Sequence, residues 1–162
     1  MHKKLIMIAV GMLVSSILFA QSSTWKGKRM NNVRPGTIIP ITHPMKVTGE
    51  GMATPSGVKY WDMRTGEGSV AEKGHVVQIL FMAWIKDGKE IASSASREKP
   101  TIFTLGAGQV IKGWEDGVEG MKPGGKRQIE IPPDLAYGAA GVYPVVPPNS
   151  TLIFDIELIE VQ

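Results

Sequence analysis

The chain has 162 residues, 43% hydrophobic and 20% charged, with no cysteine; this suits one globular domain plus extensions and leaves no room for two. Without cysteine there is no disulfide framework, thiolate nucleophile or Cys-based zinc site, and the scattered His2, His43 and His75 argue against a His-centred metal site or triad. The net charge of +3 is uneven: Lys26, Lys28, Arg29, Arg34 and Lys46 face only Glu50 between residues 21 and 50, whereas from residue 51 onward 11 Lys and Arg stand against 14 Asp and Glu.

Residues 1–20 read as a secretory signal peptide. Lys3 and Lys4 precede an apolar run from Leu5 to Phe19, and Ala20 supplies a small residue before Gln21. Leu18 departs from the usual small residue two before a cleavage site, so an uncleaved N-terminal membrane anchor is the alternative, although the run falls short of the ~20 residues that span hydrocarbon. The expected home is the periplasm or the exterior. Residues 21–55, with Pro35, Pro40, Pro44 and Pro55 among several glycines, show no sustained period and read as a basic linker or arm. Val33, Ile38, Ile39, Ile41 and Val47 are apolar enough for part of it to lie against the domain; the sequence leaves open which part. Its basic cluster beside Trp25 reads as a solvated segment following an export signal. Nucleic-acid binding is the weaker alternative, because no aromatic platform or helical basic stripe accompanies it.

From residue 56 to 162 strand and turn signals recur. Strands are expected at Val58–Met63, Val76–Lys86, Thr101–Leu105, Lys126–Ile131 and Thr151–Val161, with a hairpin turn at Asp87-Gly88. In the longest, Val77, Ile79, Phe81, Ala83 and Ile85 share one face and Leu80, Met82 and Trp84 the other. That second face is either a partner surface or covered by the arm. Between the strands, Gln109 to Val118 predicts a short helix with Trp114 and Val118 on one face, Glu115 and Asp116 in its first turn, and Gly113 and Gly117 leaving the other side bare for close approach. Trp114 reads as core or as the floor of an apolar pocket. About five antiparallel strands and one short helix predict an α+β fold in which a twisted sheet wraps the helix.

Several chemistries fail on spacing. Gly106, Gly108 and Gly113 do not make a dinucleotide loop. Ser93, Ser94 and Ser96 lack a nucleophile elbow and a placed histidine, and read as turn or strand-end hydroxyls. Glu115, Asp116 and Glu119 read as helix-face residues ahead of an acid–base pair.

Asp87-Gly88, Leu105-Gly106, Val110-Ile111-x-Gly113-Trp114-Glu115-x-Gly117-Val118, Ile131-Pro132-Pro133-x-Leu135-Ala136-Tyr137-Gly138 and Val146-Pro147-Pro148 through Leu158 fall in one ungapped register. Over about residues 57 to 161 the chain resembles the FKBP-type peptidyl-prolyl cis-trans isomerases. The resemblance implies an apolar pocket for a proline ring, with Trp114 as floor, Phe81, Val110, Ile111, Val146 and Phe154 as walls, and Tyr137 and the Ile111 backbone N–H as donors to the peptide. It implies proline-containing polypeptides as partners, macrolide ligands, no metal and no cofactor. The chain departs from the family pattern at Phe81, often Tyr; at Ile91 and Ala92, usually Phe and Asp; and at Thr101, commonly Phe. Arg97 is kept without its usual Asp partner, and Tyr143 offers a replacement aromatic at the loop tip. These departures weaken the expected macrolide binding and leave a second reading, a binding or chaperone module with little catalysis. No flap insertion or long dimerisation helix is visible, so the expected state is a monomer.

Overall fold

The computed structural model describes residues 43–94 and 99–162. Its elements are β1 (Met52–Ala53), β2 (Lys59–Arg64), β3 (Val76–Ile85), β4 (Glu90–Ser93), β5 (Thr101–Thr104), helix α1 (Lys112–Val118), β6 (Lys126–Ile131), a 3-10 turn at Pro133–Leu135, and β7 (Leu152–Val161). The strands form one sheet in the order β1-β2-β6-β7-β3-β4, with β5 also on β3, and every pairing is antiparallel. An α+β fold with a single short helix is therefore what the sequence builds. The sheet has seven strands where about five were expected. The two extra ones, β1 and β4, have 2 and 4 residues, too few to display an alternation.

Alternation decides which side of the sheet is the core. Val77, Ile79, Phe81, Ala83 and Ile85 of β3 are buried, as are Leu152, Phe154, Ile156 and Leu158 of β7 and Ile129 and Ile131 of β6. Trp114 and Val118 complete this cluster from α1. The bare side of the helix is used by the sheet itself. A Cβ on Gly113 would collide with the Ile131 side chain, and one on Gly117 would lie 2.9 Å from Ile129 Cδ1. Glycine at these two positions lets α1 sit directly on β6.

Helix α1 has no basic residue in its last turn, and its terminal carbonyls are served from β6 instead. Arg127 Nη1 donates to Gly117 O at 3.0 Å and Glu119 O at 3.2 Å. Its Nε and Nη2 bind Asp62 Oδ1 and Oδ2 at 2.6 and 3.1 Å, and its Cζ lies 4.3 Å from the centre of the Tyr60 ring. This guanidinium is buried, with 7% of the residue exposed.

On the outer side the sheet carries part of the arm. Met45 N donates to Asp155 Oδ2 at 2.9 Å, Gln128 Nε2 donates to Met45 O at 2.7 Å, and Trp61 Nε1 donates to Gly49 O at 3.2 Å. Gly51 passes so close to the Trp61 indole that a Cβ there would fall 2.5 Å from Cε2. On the same face Trp84 is fully buried, and Leu80 and Met82 are partly so.

Candidate active site

The aromatic cluster is built from four separate elements. Phe81 of β3 meets Trp114 edge-on, with centroids 4.7 Å apart and planes at 70°, and Phe154 of β7 does the same at 5.2 Å and 82°. Phe81 and Phe154 are 6.1 Å apart, and Phe103 of β5 closes the set at 6.1 Å from Trp114. Edge-to-face contacts fix ring orientations that aliphatic packing would leave loose. Trp114 is 4% exposed and Phe81 2%.

Each piece is pinned locally. Ser94 holds the Phe81 backbone from both sides: its Oγ accepts from Phe81 N at 2.9 Å and its own N–H donates to Phe81 O at 2.9 Å. The serines act as strand-end hydroxyls, Ser93 Oγ also donating to Phe81 O at 3.4 Å. Ahead of α1, Gly108 N donates to Glu115 Oε1 at 2.7 Å and Thr104 N to Gln109 Oε1 at 2.8 Å. The loop that presents Val110 and Ile111 is thereby tied to the helix it enters. Glu115 thus holds the loop and is more than a solvated helix residue.

Tyr137 follows the 3-10 turn at Pro133–Leu135, where Gly138 N donates to Pro133 O at 2.7 Å and Gly141 N to Tyr137 O at 3.2 Å. Val142 and Val146 exchange two backbone hydrogen bonds of 2.7 Å each. That bridge turns Val146 into the core and sends Tyr143 outward, 96% exposed.

Eight of the ten expected site residues therefore gather in one cluster. Phe81, Trp114, Val146 and Phe154 are buried in it, and Ile91, Val110, Ile111 and Tyr137 pack against it. Tyr143 stays outside, because the two-hydrogen-bond bridge closes the loop beneath it. Arg97 lies outside the described residues, as does Ser96. Phe103, Val142 and Val145 join the cluster unforeseen. Phe103 was detectable, since it shares the alternation of its strand with Thr101 and Leu105.

Three donors in or beside the cluster are unspent. The Trp114 indole N–H is buried without a partner, and among the described residues neither the Ile111 N–H nor the Tyr137 phenol has a hydrogen-bond partner. Ile111 O by contrast accepts from Trp114 N at 2.9 Å. Burial pushes the Tyr137 phenol above its usual value of 10.0, because desolvation penalises the phenolate. Unpaired buried donors are uncommon in native proteins and ask for a role. An apolar enclosure with a few convergent donors is what a peptide group next to a proline ring requires.

Comparison with known proteins decides the family. The family model for FKBP-type peptidyl-prolyl cis-trans isomerases matches residues 67–159. The chain belongs to this family. An FK506-binding protein of Neisseria meningitidis serogroup A is 46% identical over 100 residues, 62% of this chain and 92% of the relative. Among solved structures, FkpA from Escherichia coli superimposes with a TM-score of 0.65 at 39% identity, covering 71% of this chain and 53% of that one. A peptidyl-prolyl cis-trans isomerase from Pseudomonas syringae pv. tomato gives 0.64 at 30% identity, covering 71% and 83%. The FKBP fold and the isomerase activity follow from these likenesses. The aromatic cluster, the α1 helix and the Pro133–Leu135 turn all lie inside the matched span.

Proposed function

We propose that this FKBP-type isomerase turns X-Pro bonds over Trp114 and that its clients are exported polypeptides. The observation that carries the reading is a buried cluster of four aromatic rings whose nearby donors are unspent. Rotation about an X-Pro amide faces a barrier of ~18–20 kcal/mol set by resonance and takes tens to hundreds of seconds unaided. No bond is broken, so nothing in the site has to act as a nucleophile. The twisted amide loses conjugation and much of its charge separation. A dry cavity therefore suits it better than the planar, more polar ground state.

In this reading Trp114 is the floor beneath the proline ring. Phe81, Phe154, Val110, Ile111 and Val146 form its walls, and Ile91 stands where the family commonly has Phe. Tyr137 and the Ile111 N–H hold the substrate carbonyls on either side of the rotating bond, so the peptide is oriented while the amide itself stays unsolvated. Arg97 and Tyr143 contact the flanking residues of the client. FK506-type ligands bind the same surface, weakened by Ile91, Ala92 and Thr101, which remove aromatic area and a carboxylate. Residues 1–20 direct export, residues 21–55 are an arm whose last part lies on the sheet, and residues 56–162 are the isomerase domain of a monomer.

Tyr137→Phe tests the donor role. Loss of one neutral hydrogen bond predicts a fall in kcat/KM of about three- to tenfold on a Leu-Pro or Phe-Pro peptide. Wild-type kcat/KM stays flat across neutral pH and falls only where the phenol ionises, above 10, because its folded value is raised. The same shift sets the sign of the stability change. Between the ordinary and the raised value the unfolded chain has lost this proton and the folded chain has kept it, so stability declines as pH rises above 10. The urea midpoint of the wild type should fall below that of the Phe variant there, because phenylalanine has no proton to lose. Identical kinetics for the variant at all pH values would remove Tyr137 from the site.

A further inference from the structure

The side chains of Gln128 and Asp155 read both main-chain polar groups of a single residue, Met45. These two residues face each other across β6 and β7, and Gln128 Nε2 also donates to Asp155 Oδ1 at 2.7 Å. Asp155 accepts the Met45 N–H while Gln128 serves the Met45 carbonyl. Together they present a donor and an acceptor as a neighbouring strand would, but from the face of the sheet instead of its edge. Asp155 is 9% exposed and Gln128 4%.

The clamp belongs to a row. Trp61 is the registered partner of Gln128, Gln128 of Asp155, and Asp155 of Met82. With strands about 4.8 Å apart, Trp61 and Asp155 are about 10 Å apart, a span that residues 45–49 cover when extended. The arm thus crosses the sheet along this row, held at Met45 and Gly49 by hydrogen bonds to main-chain atoms, with Val47 half-buried between them. The Met45 side chain is 37% exposed, and Lys46 and Thr48 are exposed as well. Hydrogen bonds made to main-chain atoms are open to many sequences, with room for a small apolar side chain where Val47 lies.

We propose that the outer face of the sheet, from Trp61 through Gln128 and Asp155 to Met82, is a second polypeptide-binding site. It takes an extended, unfolded segment held by its main chain, and residues 45–49 of the arm fill it in cis. It lies on the opposite side of the sheet from Trp114, and it stands whether or not isomerisation occurs there. A cis occupant lowers apparent affinity by the fraction of molecules in which the site is open. Releasing the arm therefore exposes binding that the intact chain masks.

The test uses the full chain and Met45→Pro, which lacks the N–H that Asp155 accepts. Exchange of the Trp61 indole proton, bonded to Gly49 O, reports whether the arm has lifted. The probe is reduced, carboxymethylated α-lactalbumin, which stays unfolded. The expected result is faster exchange at Trp61, binding of the probe roughly tenfold or more tighter than by the wild type, and unchanged kcat/KM on a short proline peptide. Adding Gln128→Ala to Met45→Pro should abolish the gain, with circular dichroism checking that the sheet persists. Three outcomes overturn the proposal: an arm that stays docked without the Met45 N–H, a lifted arm with no gain in probe binding, or a gain that survives loss of Gln128.

Discussion

Arg127→Met is expected to lower the unfolding free energy by about 3 kcal/mol and the melting temperature by on the order of 15 °C. The methionine fills similar volume but leaves Gly117 O and Glu119 O without the donor that now serves them and strands Asp62 opposite an apolar group. The loss is held below the usual cost of breaking a buried pair because the Asp62 side chain is 34% exposed and rehydrates in part. Lysine does not rescue. One ammonium cannot make the two-point contact with Asp62, reach both carbonyls and stack on Tyr60. Asp62→Asn should cost under half as much, since the carbonyl cap and the stacking remain. A thermal scan of the three variants separates the contributions, and an Arg127→Met protein as stable as wild type would show that α1 needs no cap from β6.

Gly113→Ala should destabilise by about 2 kcal/mol, a net figure in which overpacking outweighs the ~1 kcal/mol that alanine gains in a helix. The added methyl meets Ile131, which is fully buried and has no room to retreat. The helix must lift from β6 and take Trp114 with it. Isomerase kcat/KM is therefore expected to fall by roughly tenfold or more even at temperatures where the variant is folded, because a misplaced floor costs orientation. Ile131→Val in the same molecule should restore part of both losses, giving a coupling energy of about 1 kcal/mol. Strict additivity would mean that the two side chains do not collide. Gly117→Ala is the milder control, since its nearest contact, Ile129 Cδ1, is 2.9 Å away at the end of a side chain.

These two residues mark how far the sequence could be read. The long strands were legible for different reasons: β7 sets Asp155 and Glu157 between apolar neighbours, whereas β3 is a nearly continuous apolar run bounded by turn signals at Lys73-Gly74 and Asp87-Gly88. The helix was legible from Trp114 and Val118, and its glycines correctly signalled a close approach, although the approaching group is the sheet. Arg127 sits in phase with Ile129 and Ile131 on the core-facing side of β6, a signal present in the pattern but masked by its charge. The outer face was left between a partner surface and a covered one. Its docking depends on Gln128 and Asp155 binding backbone atoms more than 80 positions away, which no local pattern encodes. Of the site, the aromatic floor and walls came from periodicity and resemblance together. The donors came from resemblance alone, since a free N–H at Ile111 is a property of the folded loop.

The most direct test of the central claim is isomerisation of a Leu-Pro or Phe-Pro peptide by the full chain beside its Trp114→Leu variant, with circular dichroism to establish that both are folded. The account predicts acceleration by the wild type and a drop of at least about a hundredfold in the variant, as the ring that floors the enclosure and orders Phe81 and Phe154 is removed. A folded Trp114→Leu protein that isomerises the peptide at the wild-type rate would place the reaction elsewhere on the molecule.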